Sequence, residues 1–310
     1  MLPPREDATQ GFASMFLADL IARLRKKPAA PPREPPPDLS APRFKQGAAP
    51  SATPAHDPAD NPSAVGLLDI VDSGWFNSER GEICKGVPVR STDVVVDVGC
   101  GDGGAIKFCA QQGADVIFLD INEEKVKDIE ARLQGTVSGK LTGISGTAEK
   151  IDVAGNSADK VICTEVLEHV DDPQVLMAEM ARIGKPGALY LLTVPHESGE
   201  TVMKATAPPQ YFEKPNHIRI FTESDFRALV EGAGLEIERY EAFGAFWTVF
   251  FMIFWPTGSD FSKPHPALVN WSKTWNTILK LEKGPQIKAA LEEAIPNKQF
   301  ILARKPRDAS

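Results

Sequence analysis

Glycines at positions 99, 101 and 104 close a β-branched run in the segment Val95-Val96-Asp97-Val98-Gly99-Cys100-Gly101-Asp102-Gly103-Gly104. Glycines placed just after a buried strand let the main chain turn sharply and approach a ligand closely, and the helix that follows offers its N-terminal amides. Taken alone, the Gly-x-Gly-x-x-Gly spacing is shared with dinucleotide sites. Asp97 narrows it. A carboxylate inside the strand end, two residues before the first glycine, suits a ligand that carries an ammonium group and repels a pyrophosphate. Asp120 ends the next apolar run about 20 residues later, where it can accept both hydroxyls of a ribose. A glycine turn that merely packs a helix would need neither acid.

A second set of polar residues is Glu165-x-x-Glu168-His169, which begins where another apolar run stops. Spacings of three and four place these side chains on one side of a helical turn. His217 can approach from a later loop. Two carboxylates and two imidazoles suit a divalent ion such as Mg2+ with open positions. Without an ion, a neutral His169 or His217 could take a proton from a hydroxyl, with Glu165 alongside. A helix cap and a satisfied histidine would explain the same residues. His196 and Glu197, directly after Pro195, could touch a substrate or simply be solvated.

The elements that must position these groups alternate. Strand-like runs fall at 94–98, 114–120, 141–145, 160–164, 188–194, 235–242 and 299–304. Helical patterns fall at 104–112, 123–134 and 173–183, with a further helix opening at the capping pair Thr222 and Asp225 and stopping near Gly232. This order predicts an α/β fold with a doubly wound, seven-stranded, mostly parallel sheet. More than 50 residues separate the last two strands, so an α-helical insertion is expected over 243–297. It opens with seven aromatic residues between Phe243 and Trp255. That run is either the core of the insertion or an exposed patch for peripheral membrane contact, being too short to span a bilayer.

An ammonium bound by one acid and a ribose by the other match S-adenosylmethionine. The pattern Asp97-x-Gly99-x-Gly101 with Asp120 resembles the class I, Rossmann-like S-adenosylmethionine-dependent methyltransferases. The resemblance continues through Asp159–Val170, Gly184-Lys185-Pro186-Gly187, His217–Phe226 and Gly232-Ala233-Gly234-Leu235. These blocks are similar to the type 11 subgroup that includes ubiquinone-biosynthesis O-methyltransferases. It implies that Asp97, Gly99 and Gly101 cradle the methionine part, with Cys100 a small filler in the same loop. Asp120 would hold the ribose, Ile121 would flank the adenine, and Thr147, Ala148 and Glu149 would lie near the adenine edge. A metal set of Glu165, Glu168, His169 and His217 resembles that of ubiquinone-pathway O-methyltransferases and of small-RNA 3′-end methyltransferases.

Composition bounds the rest. The chain has 310 residues and a formal net charge of −8, which argues against a nucleic-acid partner. Residues 1–63 hold 13 of the 26 prolines and read as a disordered tail, with a short amphipathic helix near 10–26. The remainder, 64–310, reads as the methyltransferase-like domain. Four cysteines without a Cys-x-x-Cys pair, and no secretory pattern, point to a reducing cytoplasmic setting, with attachment to the inner face of the membrane as an option. The expected activity is O-methylation of a small or lipid-linked acceptor: a sugar, polyprenyl or quinone compound. The alternatives are a metal-dependent RNA 3′-end 2′-O-methyltransferase, a non-catalytic scaffold of the same fold, and, more weakly, an NAD-dependent enzyme.

Overall fold

The computed structural model of the chain describes residues 58–147, 150–261 and 263–307. The first described element lies inside the segment assigned above to the tail. A 3-10 turn at Pro58–Asp60 leads into helix α1 (Pro62–Asp72). The Asn61 side chain accepts from the Ser63 and Ala64 amides, and Pro62 at the helix start has no amide to satisfy. Residues 58–63 therefore belong with the folded part, and the boundary at 63 is corrected. The amphipathic stretch at 10–26 lies outside the described residues.

Three short antiparallel strands follow: β1 (Trp75–Asn77), β2 (Glu82–Cys84) and β3 (Val87–Pro88). The main sheet holds β4 (Val94–Val98), β5 (Asp115–Asp120), β6 (Leu141–Ser145), β7 (Ala158–Thr164), β8 (Gly184–Pro195), β9 (Glu236–Phe243) and β10 (Lys298–Arg304). Their order is β6-β5-β4-β7-β8-β10-β9. Only β10 runs antiparallel to its neighbours, so the expected seven-stranded, mostly parallel sheet is what forms.

The connecting helices are α2 (Gly104–Gln111), α3 (Glu123–Leu133), α4 (Pro173–Ile183), α5 (Glu197–Met203) and α6 (Glu223–Gly232). Alternation along β4 explains why the sheet needs cover on both sides. Val95 packs with Ile106, Phe108 and Ile129 from α2 and α3, whereas Val96 and Val98 pack with Leu176, Met180 and Phe226 from α4 and α6.

The insertion is helical, as expected, and forms a cap of α7 (Ala245–Thr257), α8 (Pro266–Leu279) and α9 (Gly284–Ala294). The aromatic run faces inward. Phe246, Trp247, Phe250 and Phe254 are each at most 6% exposed and cluster with Leu268 and Trp275 of α8. Helices α8 and α1 cover one side of this apolar helix, while Met252 and Pro256 on it stay exposed. Of the two readings of Phe243–Trp255, the burial of Phe246, Trp247, Phe250 and Phe254 is that of the cap's core. Trp275 also donates its indole N–H to Asp69 of α1 at 3.0 Å, which ties the cap to that helix. Among the described residues, no helix is long and apolar enough to cross a membrane.

Candidate active site

The glycine loop after β4 is held by its own backbone. Gly99 and Cys100 both donate to the Leu119 carbonyl at 2.8 and 3.1 Å, clamping the loop onto the end of β5. Gly99 and Gly101 have φ values of 74° and 50°, in the left-handed region. A Cβ on Gly99 would lie 2.3 Å from Val166 Cγ2, whereas one on Gly101 would meet nothing within 4 Å. The first glycine lets the loop pack, and the second faces open space where a ligand can approach.

Asp97 and Asp120 meet at this loop. Asp97 is 3% exposed, and burial, helped by the charge of Asp120, pushes its carboxyl up to about 7. Cys100 Sγ lies 3.8 Å from Asp120, which also accepts from the Asn122 amide at 2.9 Å. Lys125 Nζ lies 3.9 Å from Asp120, while the buried Asp97 beside it suits a ligand that brings its own positive charge. Ile121 projects beside them, 77% exposed, as a residue meant to flank a flat ring would. Thr147 is exposed past β6, while Ala148 and Glu149 lie outside the described residues.

At the ends of β7 and β8 the second set of polar residues assembles. Residues 165–170 form a turn rather than a helix, with the His169 amide bonded to the Val166 carbonyl. Glu168 is fully buried, and neither of its carboxylate oxygens has a hydrogen-bond partner. Burial, reinforced by the charge of Glu165, raises its pKa well above the usual carboxylate range. His169 Nε2 lies 3.5 Å from Glu168, and its Nδ1 donates to the Pro215 carbonyl at 3.1 Å. His217, brought in by the loop before α6, stacks edge-on against His169 at 4.9 Å. Ligand atoms of Glu168, His169 and His217 all lie within 4.8 Å of one another. Glu165, the fourth residue of the expected set, is not in this group. Its carboxylate is bound instead by Thr193 and Lys298.

Two residues that motif reasoning passed over complete the site. Glu200 on α5, 2% exposed, accepts from His217 Nδ1 at 3.2 Å and from the Tyr211 hydroxyl at 2.9 Å. With Nδ1 donating to a carboxylate, the neutral His217 ring keeps its lone pair at Nε2. The available signal was Glu200 following Glu197 by three residues, one helical turn further along α5. His196, by contrast, caps α5 through its Nδ1, which accepts from the Ser198 amide at 3.1 Å, and burial lowers its pKa. That is a structural task.

The family model for the methyltransferase domain matches residues 10–240. The chain belongs to the methyltransferase domain family. Among curated relatives, the ubiquinone biosynthesis O-methyltransferase of Hahella chejuensis is 34% identical over 122 residues, covering 39% of this chain and 50% of that protein. Its counterpart in Aliivibrio fischeri (strain ATCC 700601 / ES114) is 42% identical over 95 residues, covering 30% and 40%. The chain thus spans about half the length of the curated relatives it matches. Among solved structures, a chain from the complex between the Haloferax volcanii Trm112 methyltransferase activator and a methyltransferase superposes with a TM-score of 0.51 at 19% identity. That match covers 82% of this methyltransferase-domain chain and 100% of the other. The [4+2]-cyclase SpnF superposes at 0.50 and 17% identity, covering 79% and 81%. At these identities the likeness is one of fold, the Rossmann-like methyltransferase fold.

Proposed function

We propose that this chain transfers the methyl group of S-adenosylmethionine to a hydroxyl of a small or lipid-linked acceptor, of the quinone type. Asp97 is the partner for the donor's ammonium and Asp120 for its ribose. The observation that carries the O-methyl assignment is the buried His217–Glu200 pair, which keeps a lone pair at His217 Nε2 beside Glu168 and His169. The ubiquinone-pathway names of the curated relatives support the acceptor class.

Methyl transfer from a sulfonium proceeds in line, so the protein's main contribution is to hold donor and acceptor in register. The remaining chemical task is the acceptor's proton. Glu168, a buried carboxylate without a hydrogen-bond partner, fits a divalent cation such as Mg2+, because such a group is otherwise costly to bury. Glu168, His169 and His217 would hold that ion, and a divalent cation lowers the pKa of a hydroxyl near it. Glu200 and Tyr211 fix the His217 ring, and the Pro215 carbonyl fixes His169. Four buried, free cysteines suit a cytoplasmic protein.

The test is to incubate the purified chain with methyl-labelled S-adenosylmethionine and a cell extract, then identify the labelled product. Label on a hydroxyl-bearing aromatic or lipid supports the reading. Turnover left intact in both His169→Ala and His217→Ala removes it. The Glu168, His169 and His217 grouping also favours RNA 3′-end 2′-O-methylation, against which the charge of −8 weighs.

A further inference from the structure

Arg219 sits two residues after His217, and its guanidinium reaches the turn that carries Glu168 and His169. Strand β7 ends at Thr164 and helix α4 begins at Pro173, so the carbonyls of residues 167–171 lie outside both. Arg219 takes up three of them. Its Nη1 donates to the Leu167 and Val170 carbonyls at 3.2 and 2.6 Å, and its Nη2 to that of Asp171 at 2.9 Å. Beside this fork the Ile218 amide donates to the Glu168 carbonyl at 3.0 Å. Between 48 and 52 residues of sequence separate the guanidinium from its carbonyls. The segment that bears Arg219 is held from its other side as well: the His217 amide donates to the Tyr211 carbonyl at 3.0 Å, and His217 Nδ1 to Glu200 at 3.2 Å.

We infer that Arg219 is a positioning residue of the candidate site: its grip on three carbonyls of the 167–171 turn sets Glu168 and His169 against His217. This rests on the reading above, in which those three residues do the site's work. A turn with neither a sheet ladder nor a helix behind it needs another restraint, and the fork supplies one from the very segment that carries His217. The two halves of the cluster are thereby coupled directly. A guanidinium suits the task because its donors are planar, permanently charged and fixed in direction, whereas an ammonium is a point charge on a flexible stem. The consequence is read at His169. Its Nδ1–H is bonded to the Pro215 carbonyl, so its Nε2 keeps the lone pair 3.5 Å from Glu168. Once the turn is released, that bond to Pro215 is no longer enforced.

The experiment reads the ring tautomers of His169 and His217 by long-range proton–nitrogen NMR on the full chain, stripped of metal by a chelator, at about pH 8, where imidazole is neutral. Titration calorimetry with Mn2+ gives the second reading. The unaltered chain shows both rings protonated at Nδ1. Arg219→Met keeps the stem and loses the donors. Its His169 signal becomes a mixture of tautomers, its His217 signal holds, and Mn2+ binds at least about tenfold more weakly. Affinity for S-adenosylmethionine stays within about threefold, because the donor loop is a separate site. Loss of donor binding marks a folding defect, and Arg219→Lys, which retains stem and charge without the fork, is then read by the same two measurements. An unmixed His169 tautomer with Mn2+ affinity within about threefold of the unaltered chain overturns the inference. So does an equal effect from Lys214→Met, since Lys214 crosses the same seam only through an exposed ion pair with Asp171. If the unaltered chain binds no Mn2+, the cation reading fails, and the tautomers alone decide the role of Arg219.

Discussion

Asp97 carries opposed demands. Binding an ammonium needs its carboxylate ionised, while burial beside Asp120 favours the proton and raises the carboxyl from 3.8 to about 7. Affinity for S-adenosylmethionine should therefore be flat above pH 7 and fall by up to about tenfold per pH unit below it. Calorimetry between pH 6 and 8 reads this directly, and Asp97→Asn should bind weakly with no such slope. The ligand-free chain should show the reverse trend. A raised carboxyl pKa contributes stability that is present below about pH 4 and lost as pH rises through 7. Urea unfolding should then find Asp97→Asn gaining on the unaltered chain by an amount on the order of 4 kcal/mol at pH 8. At Gly101 the separation is cleaner still. A methyl group there meets no protein atom, so Gly101→Ala should cost only about 1 kcal/mol from its positive φ. The same methyl occupies ligand space, and affinity for the donor should drop at least about tenfold, the equivalent of 1.4 kcal/mol. Glu200→Gln places an amide against His217 Nδ1 and can present an N–H where an acceptor is needed. It should lower kcat by at least about a hundredfold, through the wrong tautomer, with little change in KM for the donor.

Among the elements, α1 and α7 meet most tightly at one position. A Cβ on Gly66 would fall 2.1 Å from the Trp247 ring, so Gly66→Ala must push α1 and the cap apart. The expected cost is about 1 to 3 kcal/mol, read as a lower urea midpoint. Strands β4 to β7 and helix α4 were legible in the sequence because β-branched runs, glycine turns and the Asp172-Pro173 start leave strong local signals. Strands β1 to β3 were not, since two or three residues carry no measurable period. Helix α5 was missed for a related reason: its seven residues, Glu197–Met203, are largely polar. Losing α5 meant losing Glu200. Lys298 was equally hidden, because its partner Glu165 is remote in sequence and only the pairing of β10 with β8 brings the two together. Asp97 and Asp120 were readable from spacing. The pairing of Glu165 with Thr193 and Lys298 was not, because spacing within a turn says nothing of what else reaches the same carboxylate.

The molecule as a whole is acidic, and its charge of −8 leaves little to draw a phosphate backbone. A labelled single-stranded RNA at 50 mM salt should show no saturable binding at micromolar protein, and no steep salt dependence should emerge. Tight, salt-sensitive binding would instead move the acceptor to RNA. The fold class could be read at this scale because strand–helix alternation leaves few topologies open. The cap's existence followed from length alone, while its inward-facing aromatic side required knowing that α8 and α1 cover it.

The cap leaves the sheet after Phe243 and returns at Lys298, and these two residues are direct partners across β9 and β10. The excursion is thus spliced into a single hairpin, with both seams on one rung of the ladder. Its removal would leave a gap that a short turn could bridge without disturbing the donor loop at the sheet's centre. The cap and the donor loop are in this sense structurally separable.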